Sequence, residues 1–333
     1  MDSYYYSYYL RDKFTISYIS FYQNHKLINS GINCIYVKGS SNFHKYFNLF
    51  KTIVLFLKNS EISIIYFIYF KGVSLYRILA YGRNTILDIR SGYISYNPVK
   101  NYFFNFLLLL EAQLFRDRII ISESLARHIG IKNVVIIGLG GINLNIKKRE
   151  HSSFNFTYVG VLNNRGIDIL IRAFCKYARN SSNDIKLHIV GDIFTKTGYE
   201  LIRLKNYLSC DRILFYGYLA NKDLKRVLEI TDFSISYVPI TPFYNYQPVT
   251  KTYEALVNGI PVLATSTYEN CRIIGKKNGI LILDCENEIE RGLDLAYNKL
   301  HRNEIEIIEQ SYREYEWENI VKNRLVPFIN NLK

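Results

Sequence analysis

Short apolar runs that end in glycine, each followed by a helix-forming segment, leave the second half of this chain few folds to choose from. "FNFTYVG" (154–160) alternates apolar and polar residues up to Gly160, and "GIDILIRAFCKYARN" (166–180) then repeats its apolar residues at helical spacing. "IKLHIVGD" (185–192) is a second strand ending in glycine, followed by a polar helix near 197–208. "RILFYGYL" (212–219) is a third strand, and "NKDLKRVLEIT" (221–231) a short helix with Asn221 as its cap. "FSISYV" (233–238), "IPVLATS" (260–266) and "GILIL" (279–283) complete six strands. Strands that alternate with helices in this way predict a parallel, doubly wound sheet, and such sheets bind ligands beyond the carboxyl ends of their strands.

The first half carries the same alternation less cleanly. Strands are read at 14–19, 32–37, 62–70, 84–89, 118–122 and 134–138, with "NYFFNFLLLLEAQLF" (101–115) the longest helix between them. The polar, Gly-bearing segment 139–153 holds a basic cluster and contains the natural linker. The tail 303–330 reads as one or two amphipathic helices with Trp317 on the apolar side. The expected organisation is a Rossmann-like domain over 1–145 with a divergent start, a linker over 146–153, a second Rossmann-like domain over 154–302, and terminal helices over 303–333.

Charge and cysteine usage narrow the setting. The 333 residues are 49% hydrophobic and 21% charged, the balance of a globular chain. Five cysteines without a CxxC pair and six dispersed histidines argue against a zinc site or a disulfide framework. No secretory leader is read at the start, and "TIVLFL", "ISIIYFIYF" and "NYFFNFLLLL" are each too short to span a bilayer. Residues 1–150 hold 19 Lys and Arg against 8 Asp and Glu, whereas the remainder is nearly balanced, 23 against 21. That asymmetry points to an anionic partner for the first half, and exposed aromatics among the first ten residues would add an apolar contribution. Charge alone also raises nucleic acid, but no aromatic-basic recognition motif accompanies it, so no nucleic-acid partner is expected.

"QPVTKTYEALVNGIPVLAT" (247–265) places Lys251 and Glu254 three residues apart at the start of a short helix. In order and spacing it follows "YVGVLNNRGIDILIRAF", "IVGD" and "FYGYL". Together these motifs resemble family 4 (group 1) glycosyltransferases of the polysaccharide, O-antigen and capsule-assembly type, from about Leu87 to the C-terminus. "LDIRSGY", "IISESLARHIGI", "GLGGIN" and "YEWENI" extend the resemblance. It implies an α/β fold of GT-B architecture: two Rossmann-like parallel-sheet domains facing a cleft, with a C-terminal helix crossing back to the first domain.

The resemblance also assigns residues. A helix N-terminus offers free amides and partial positive charge to a diphosphate, and a lysine there adds a point charge. Glu254 is then the ribose ligand and Lys251 lies on the phosphate side. Arg165 occupies the second of two cationic positions in "GVLNNRG", while Val161 occupies the first, so that contact is missing. Gly160, Gly191, Asp192, Gly217, Tyr246, Gln247 and Thr250 complete the implied donor site, with Tyr246 and Gln247 standing where relatives often carry a first glutamate. Arg165, Lys251 and Glu254 are the residues implied in catalysis. Asp88, Arg90 and Ser91 either contact acceptor or donor, or form an Asp–Arg pair that holds the loop.

The implied activity is a retaining, metal-independent transfer, of hexosyltransferase type, from a nucleotide-diphosphate sugar to a growing lipid-linked glycan. The nucleotide sugar is co-substrate and no cofactor is needed. The partners are that donor, a lipid-linked or oligosaccharide acceptor, and the anionic inner face of the plasma membrane, where a cytoplasmic protein would bind peripherally. A sugar-nucleotide epimerase of the same architecture, or an inactive nucleotide-sugar-binding or complex-organising protein, remains the alternative.

Overall fold

The computed structural model describes residues 2–22, 31–59, 61–93, 97–307 and 309–332. The chain divides into two compact units, residues 1–138 with 317–333, and residues 139–316.

Unit 1 runs α1 (Asp2–Leu10), β1 (Ser17–Phe21), β2 (Asn33–Val37), α2 (Asn42–Asn59), β3 (Ile64–Ile68), α3 (Val73–Leu79), β4 (Asn84–Ile89), α4 (Pro98–Gln113), β5 (Asp117–Ile120), α5 (Glu123–Ile129) and β6 (Val135–Ile136). Strands β3-β4-β5-β6 form a parallel sheet in that order, and β1 and β2 pair in parallel as a separate ribbon. Strand β4 is buried from its second residue onward, as befits a strand covered on both faces, although two of the buried residues, Thr85 and Asp88, are polar. The aromatic-rich first ten residues are a helix, and none of the aromatics described there is exposed. Tyr6 is buried and meets Trp317 edge to face, while Tyr5 stacks on Trp317 at 5.5 Å. The expectation of exposed aromatics at the start is therefore corrected: the described rings are buried or half-buried, and Tyr5 and Tyr6 face the C-terminal helix of the same unit. That helix is α13 (Trp317–Ile320) continued through one π-helical turn, Val321–Leu325, into α14 (Val326–Asn330).

A buried carboxylate fixes α3 to α4. Helix α3 begins at Gly72, whose φ of 85° favours glycine and whose lack of a side chain leaves the helix without a cap of its own. Glu111 of α4 supplies one: its Oε1 accepts from Gly72 N at 2.9 Å and Ser74 Oγ at 2.8 Å, and its Oε2 from the Tyr69 hydroxyl at 3.1 Å.

Unit 2 runs β7 (Phe154–Val159), α6 (Ile167–Asn180), β8 (Ile185–Val190), α7 (Lys196–Tyr207), β9 (Ile213–Gly217), α8 (Asn221–Glu229), β10 (Phe233–Ser236), α9 (Pro242–Asn245), α10 (Thr250–Val257), β11 (Val262–Thr265), α11 (Tyr268–Ile273), β12 (Gly279–Ile282) and α12 (Glu286–His301). Its six strands are parallel in the order β12-β11-β10-β7-β8-β9. The chain thus winds outward from β7 to β9, returns to the middle at β10, and winds outward the other way. Helix α6 buries Ile167, Leu170, Ile171, Phe174 and Ala178, a 3.6-residue stripe laid on the sheet. Phe156, Phe174 and Phe233 are closed into the same core. Ala220, not Asn221, precedes α8 at the cap position, and no side chain caps that helix; Asn221 is its first residue. The basic segment after Gly138 belongs to this unit: Arg149 pairs with Glu229 at 2.8 Å, and Lys148 donates to the Thr231 carbonyl.

Glu111→Ala removes a charged acceptor from several buried or half-buried donors at once. Charge-assisted hydrogen bonds contribute roughly 1.5–3 kcal/mol each, and unpaired buried donors add a desolvation penalty. The expected loss is about 3 kcal/mol or more, read as an earlier urea midpoint for unit 1 by fluorescence. A midpoint equal to that of the parent would show that α3 does not depend on the carboxylate.

Candidate functional site

The carboxyl ends of β7 and β10 lie side by side where the winding of unit 2 reverses, and the chain leaves these two strands for different parts of the sheet. That divergence opens a crevice, the place where open α/β sheets take their ligands. The loops flanking it are 160–166 after β7 and 237–249 after β10.

Glycines bring the strand ends close. Gly160 N donates to the Val190 carbonyl at 2.9 Å, and Gly191 N to the Gly217 carbonyl at 3.0 Å. A Cβ on Gly191 would lie 2.4 Å from the Gly160 carbonyl oxygen. The amides of Gly160 and Gly191 are thus engaged by the sheet; Gly191 permits the close backbone approach, while a Cβ on Gly160 would press on the Tyr158 ring at 3.1 Å from its hydroxyl. Gly217 ends β9 with a φ of 71°. Asp192 is exposed and accepts from its neighbour Phe194 N at 3.0 Å. The Thr195 hydroxyl bonds Asn163 at 3.3 Å, joining the loop after β8 to the loop after β7.

Arg165 reaches across the crevice. Its guanidinium lies 4.6 Å from the centre of the Tyr244 ring, while the Tyr244 hydroxyl donates to the Asn164 carbonyl at 3.3 Å. The cation–π contact and the hydrogen bond hold the two flanking loops together and keep a half-buried cation at the opening. Beneath it, burial pushes the Tyr158 phenol up, against the opposing charge of Arg165, and its hydroxyl donates to the Val161 carbonyl at 2.8 Å. Val161 itself is exposed and brings no charge to the site.

Helix α10 is oriented by its buried polar residues. The hydroxyl of Thr252, fully buried, meets Ser236 Oγ at 2.7 Å and Asn270 Oδ1 at 2.9 Å, tying the helix to β10 and α11. Asn258 donates to the Ile142 and Glu254 carbonyls at 2.7 Å each and accepts from Leu144 N at 2.8 Å. Gly141 lies against the backbone of Glu254, where a Cβ would come within 3.0 Å of its Cα. With these sides fixed, Lys251 and Glu254 project together, 28 and 22% exposed, and form an ion pair at 2.7 Å. No side chain caps the helix at Val249, and in its first turn the Thr252 amide turns back to the Val249 carbonyl at 3.0 Å. Thr250 and Tyr246 are half-buried beside this end, and the Gln247 Oε1 atom is buried without a hydrogen-bond partner.

The structure therefore brings Gly160, Arg165, Lys251 and Glu254 to one end of one sheet, together with Tyr246, Gln247 and Thr250. It also closes Lys251 and Glu254 on each other, which their separate assignments to phosphate and ribose did not anticipate. Tyr244, Asn245 and Asp284 were missed. Asn245 Oδ1 accepts from Tyr268 N at 2.8 Å and Asp284 Oδ2 from Ile240 N at 2.7 Å, so both shape the loop after β10. The "TP" at 241–242, a cap followed by proline at the first helical position, was the available signal for the short α9.

In unit 1, Asp88 is fully buried, accepts from the Tyr66 hydroxyl at 2.7 Å and lies 3.6 Å from Arg90. Arg90 donates to the Tyr6 hydroxyl at 3.1 Å and to the Ile137 carbonyl at 2.8 Å. The two therefore pair at the end of β4, where Asp88 has no exposed surface. Ser91 is half-buried at the strand end.

Residues 153–297 match the family model described as "Glycosyl transferases group 1". Among solved structures, a glycosyltransferase from Rickettsia africae ESF-5 superposes with a TM-score of 0.76 at 16% identity, covering 100% of this chain and 94% of that one. Anabaena Alr3699/HepE in complex with UDP and glucose gives 0.79 at 13% identity, over 99% and 95% of the two chains. Sucrose-phosphate synthase from Thermosynechococcus elongatus gives 0.73 at 14%, over 98% and 91%. At such identities the likeness is one of fold, and the fold is the α/β GT-B class with parallel sheets. No curated protein matches the chain by sequence.

Gly191→Ala tests how tightly the strand ends must approach. A methyl group forced against the Gly160 carbonyl should cost about 1–3 kcal/mol, as overpacking does. The measurement is the urea midpoint of unit 2, and an unchanged midpoint would show that the ends of β7 and β8 can separate freely.

Proposed function

We propose that this glycosyltransferase, recognised as one by the group 1 domain of its second unit, transfers a sugar from a nucleoside-diphosphate sugar with retention of configuration and without a metal ion. The acceptor is a growing lipid-linked glycan of the cell surface, of O-antigen, capsule or exopolysaccharide type, reached from the cytoplasmic face of the membrane. The single observation that carries the reading is the set of two cations and one carboxylate at the switch point of unit 2: Arg165 on one flanking loop, Lys251 and Glu254 on the helix that follows the other.

The chemistry follows from those three groups. The diphosphate lies against the first turn of α10, whose amides and positive end favour it, and draws Lys251 away from Glu254. Glu254, released, accepts from the two ribose hydroxyls. In the reaction the bond from the anomeric carbon to the diphosphate oxygen breaks, and the acceptor oxygen bonds that carbon on the same face. The acceptor proton passes to the departing phosphate oxygen, so no side chain serves as base. Negative charge grows on the diphosphate, and Arg165 and Lys251 stabilise it most in the transition state. The nucleotide sugar is the co-substrate and no further cofactor takes part. Incubation with UDP-, GDP-, ADP- and TDP-sugars, with hydrolysis and transfer followed by NMR, tests the reading. A chain that binds none of them, or that interconverts a nucleotide sugar with no acceptor present, overturns it.

Glu254→Gln keeps the shape of the side chain and removes the charged acceptor of two hydroxyls. It should weaken binding of UDP and of uridine alike by roughly 1.5–3 kcal/mol, while Lys251→Met weakens UDP only. Calorimetry on the folded variants reads this, and equal affinity in parent and Glu254→Gln removes Glu254 from the ribose.

Arg165→Ala should lower kcat by about a hundredfold, as loss of one group aimed at developing charge does, with a smaller change in KM. Turnover at the parental rate would return Arg165 to a purely structural partner of Tyr244.

A further inference from the structure

Unit 1 turns two adjoining helices outward with apolar residues on their exposed sides. Helix α4 is capped by Asn97, starts at Pro98, and buries Leu108, Glu111 and Ala112. Val99, Tyr102, Phe103, Phe106 and Leu110 recur every three or four residues and are between 44 and 78% exposed. At 3.6 residues per turn this stripe lies diametrically opposite the buried one. An amphipathic helix of a globular domain shows polar residues there; α4 is apolar on both sides. Helix α3 packs beside it and leaves Leu75, Ile78 and Leu79 between 42 and 65% exposed. Glu111, through Gly72 and Ser74, holds the two helices in fixed relation.

Along the stretch of chain that carries these helices the exposed charges are cationic. From Ile62 to Arg116 the chain carries two carboxylates, Asp88 and Glu111, and both are buried. Over the same stretch Lys71, Lys100 and Arg116 are exposed and Arg77 and Arg83 half-buried. Exposed apolar surface of this extent marks an interaction site, and the excess of cations along this stretch, with Glu123 of the neighbouring α5 paired to Arg127, favours an anionic partner. No helix among the described residues is long and apolar enough to cross a membrane.

We propose that the outward faces of α3 and α4 form one docking surface for an anionic lipid bilayer. Phe103, Phe106 and Ile78 enter the boundary between headgroups and acyl chains, and Lys100 and Arg116 lie among the lipid phosphates. The proposal rests on the reading of a lipid-linked acceptor and names the surface that would reach it. It also sets the character of attachment. Charge alone would be released by salt, since screening shortens its reach to about 8 Å at physiological ionic strength. Inserted aromatic and aliphatic side chains leave a component that salt does not remove.

Vesicle co-sedimentation of the full chain tests it, with phosphatidylcholine alone and with phosphatidylcholine plus phosphatidylglycerol, and UDP affinity as the check on folding. The combined Ile78→Ser, Phe103→Ser and Phe106→Ser variant should lose about tenfold or more in partitioning to the mixed vesicles and keep its affinity for UDP. Should that variant fail to bind UDP, the Lys100→Glu and Arg116→Glu pair replaces it, with loss expected on the mixed vesicles only. A parent chain that binds mixed vesicles while the variants bind equally well overturns this surface and leaves membrane attachment standing. A parent chain that binds neither vesicle overturns both, without touching sugar transfer to a soluble acceptor. A parental dimer that the triple substitution converts to monomer, with vesicle binding unchanged, makes the face a contact between copies and overturns the lipid assignment.

Discussion

The parallel pairing of β10 with β7 is the constraint on which the rest of unit 2 depends. Three residue pairs join the strands, Phe233 with Phe156, Ser234 with Thr157 and Ile235 with Tyr158. By seating β10 on the open edge of β7, they reverse the winding and set two loops on either side of a crevice. Every residue of the candidate site inherits its position from that choice. Arg165 meets Tyr244 because their loops flank the same gap, and α10 presents its uncapped end there because Thr252 is pinned to Ser236 of β10. Were β10 added beyond β9 instead, the same sequence motifs would lie at opposite ends of the sheet.

Within that frame the Lys251–Glu254 pair is well suited to a site that must open. The two groups are one helical turn apart, partly exposed and in direct contact. Pairs of this kind are worth about 0–1 kcal/mol, because water already solvates both partners. Under the proposed donor site, a diphosphate and a ribose that replaced the pair would displace little stabilisation and gain one charged partner each. Until then, the pair keeps both side chains in ordered positions. In that proposal the lysine and glutamate that neutralise each other are the resting state of the site.

Unit 1 uses its buried charges differently. Asp88, Arg90 and Glu111 are each satisfied by hydroxyls, amides or carbonyls of neighbouring segments. Buried charges are costly unless so satisfied, and once satisfied they fix geometry more than they add stability. Here they fix a strand-end loop and a helix pair. The outward side of that helix pair is left apolar and cationic, with its carboxylates inside.

The elements of unit 2 were legible in the sequence because their signals are local. Alternation over a few residues specifies a strand, a 3.6-residue repeat specifies a helix such as α6, and the glycines at 160, 191 and 217 mark strand ends, with backbones in close approach at Gly191. Lys251 and Glu254 could be singled out for the same reason, since three residues on a helix place both on one side. Less was legible where neighbours distant in sequence decide. Asn221 has the chemistry of a cap, yet the backbone enters α8 one residue earlier, at Ala220. The tyrosines of the first ten residues carry no periodic signal, and it is Trp317, from the other end of the chain, that gives Tyr5 and Tyr6 a surface to pack on. Asp88 and Arg90 read equally well as ligands or as a pair, and Tyr66, Tyr6 and the Ile137 carbonyl make them a pair. By itself the sequence determined which segments are strands and helices and which ends carry charge, because backbone preferences and side-chain periodicity act over one or two turns. Only the tertiary structure decided which strand ends adjoin, which charges face inward and which cation stacks on Tyr244, because those depend on contacts that no local pattern encodes.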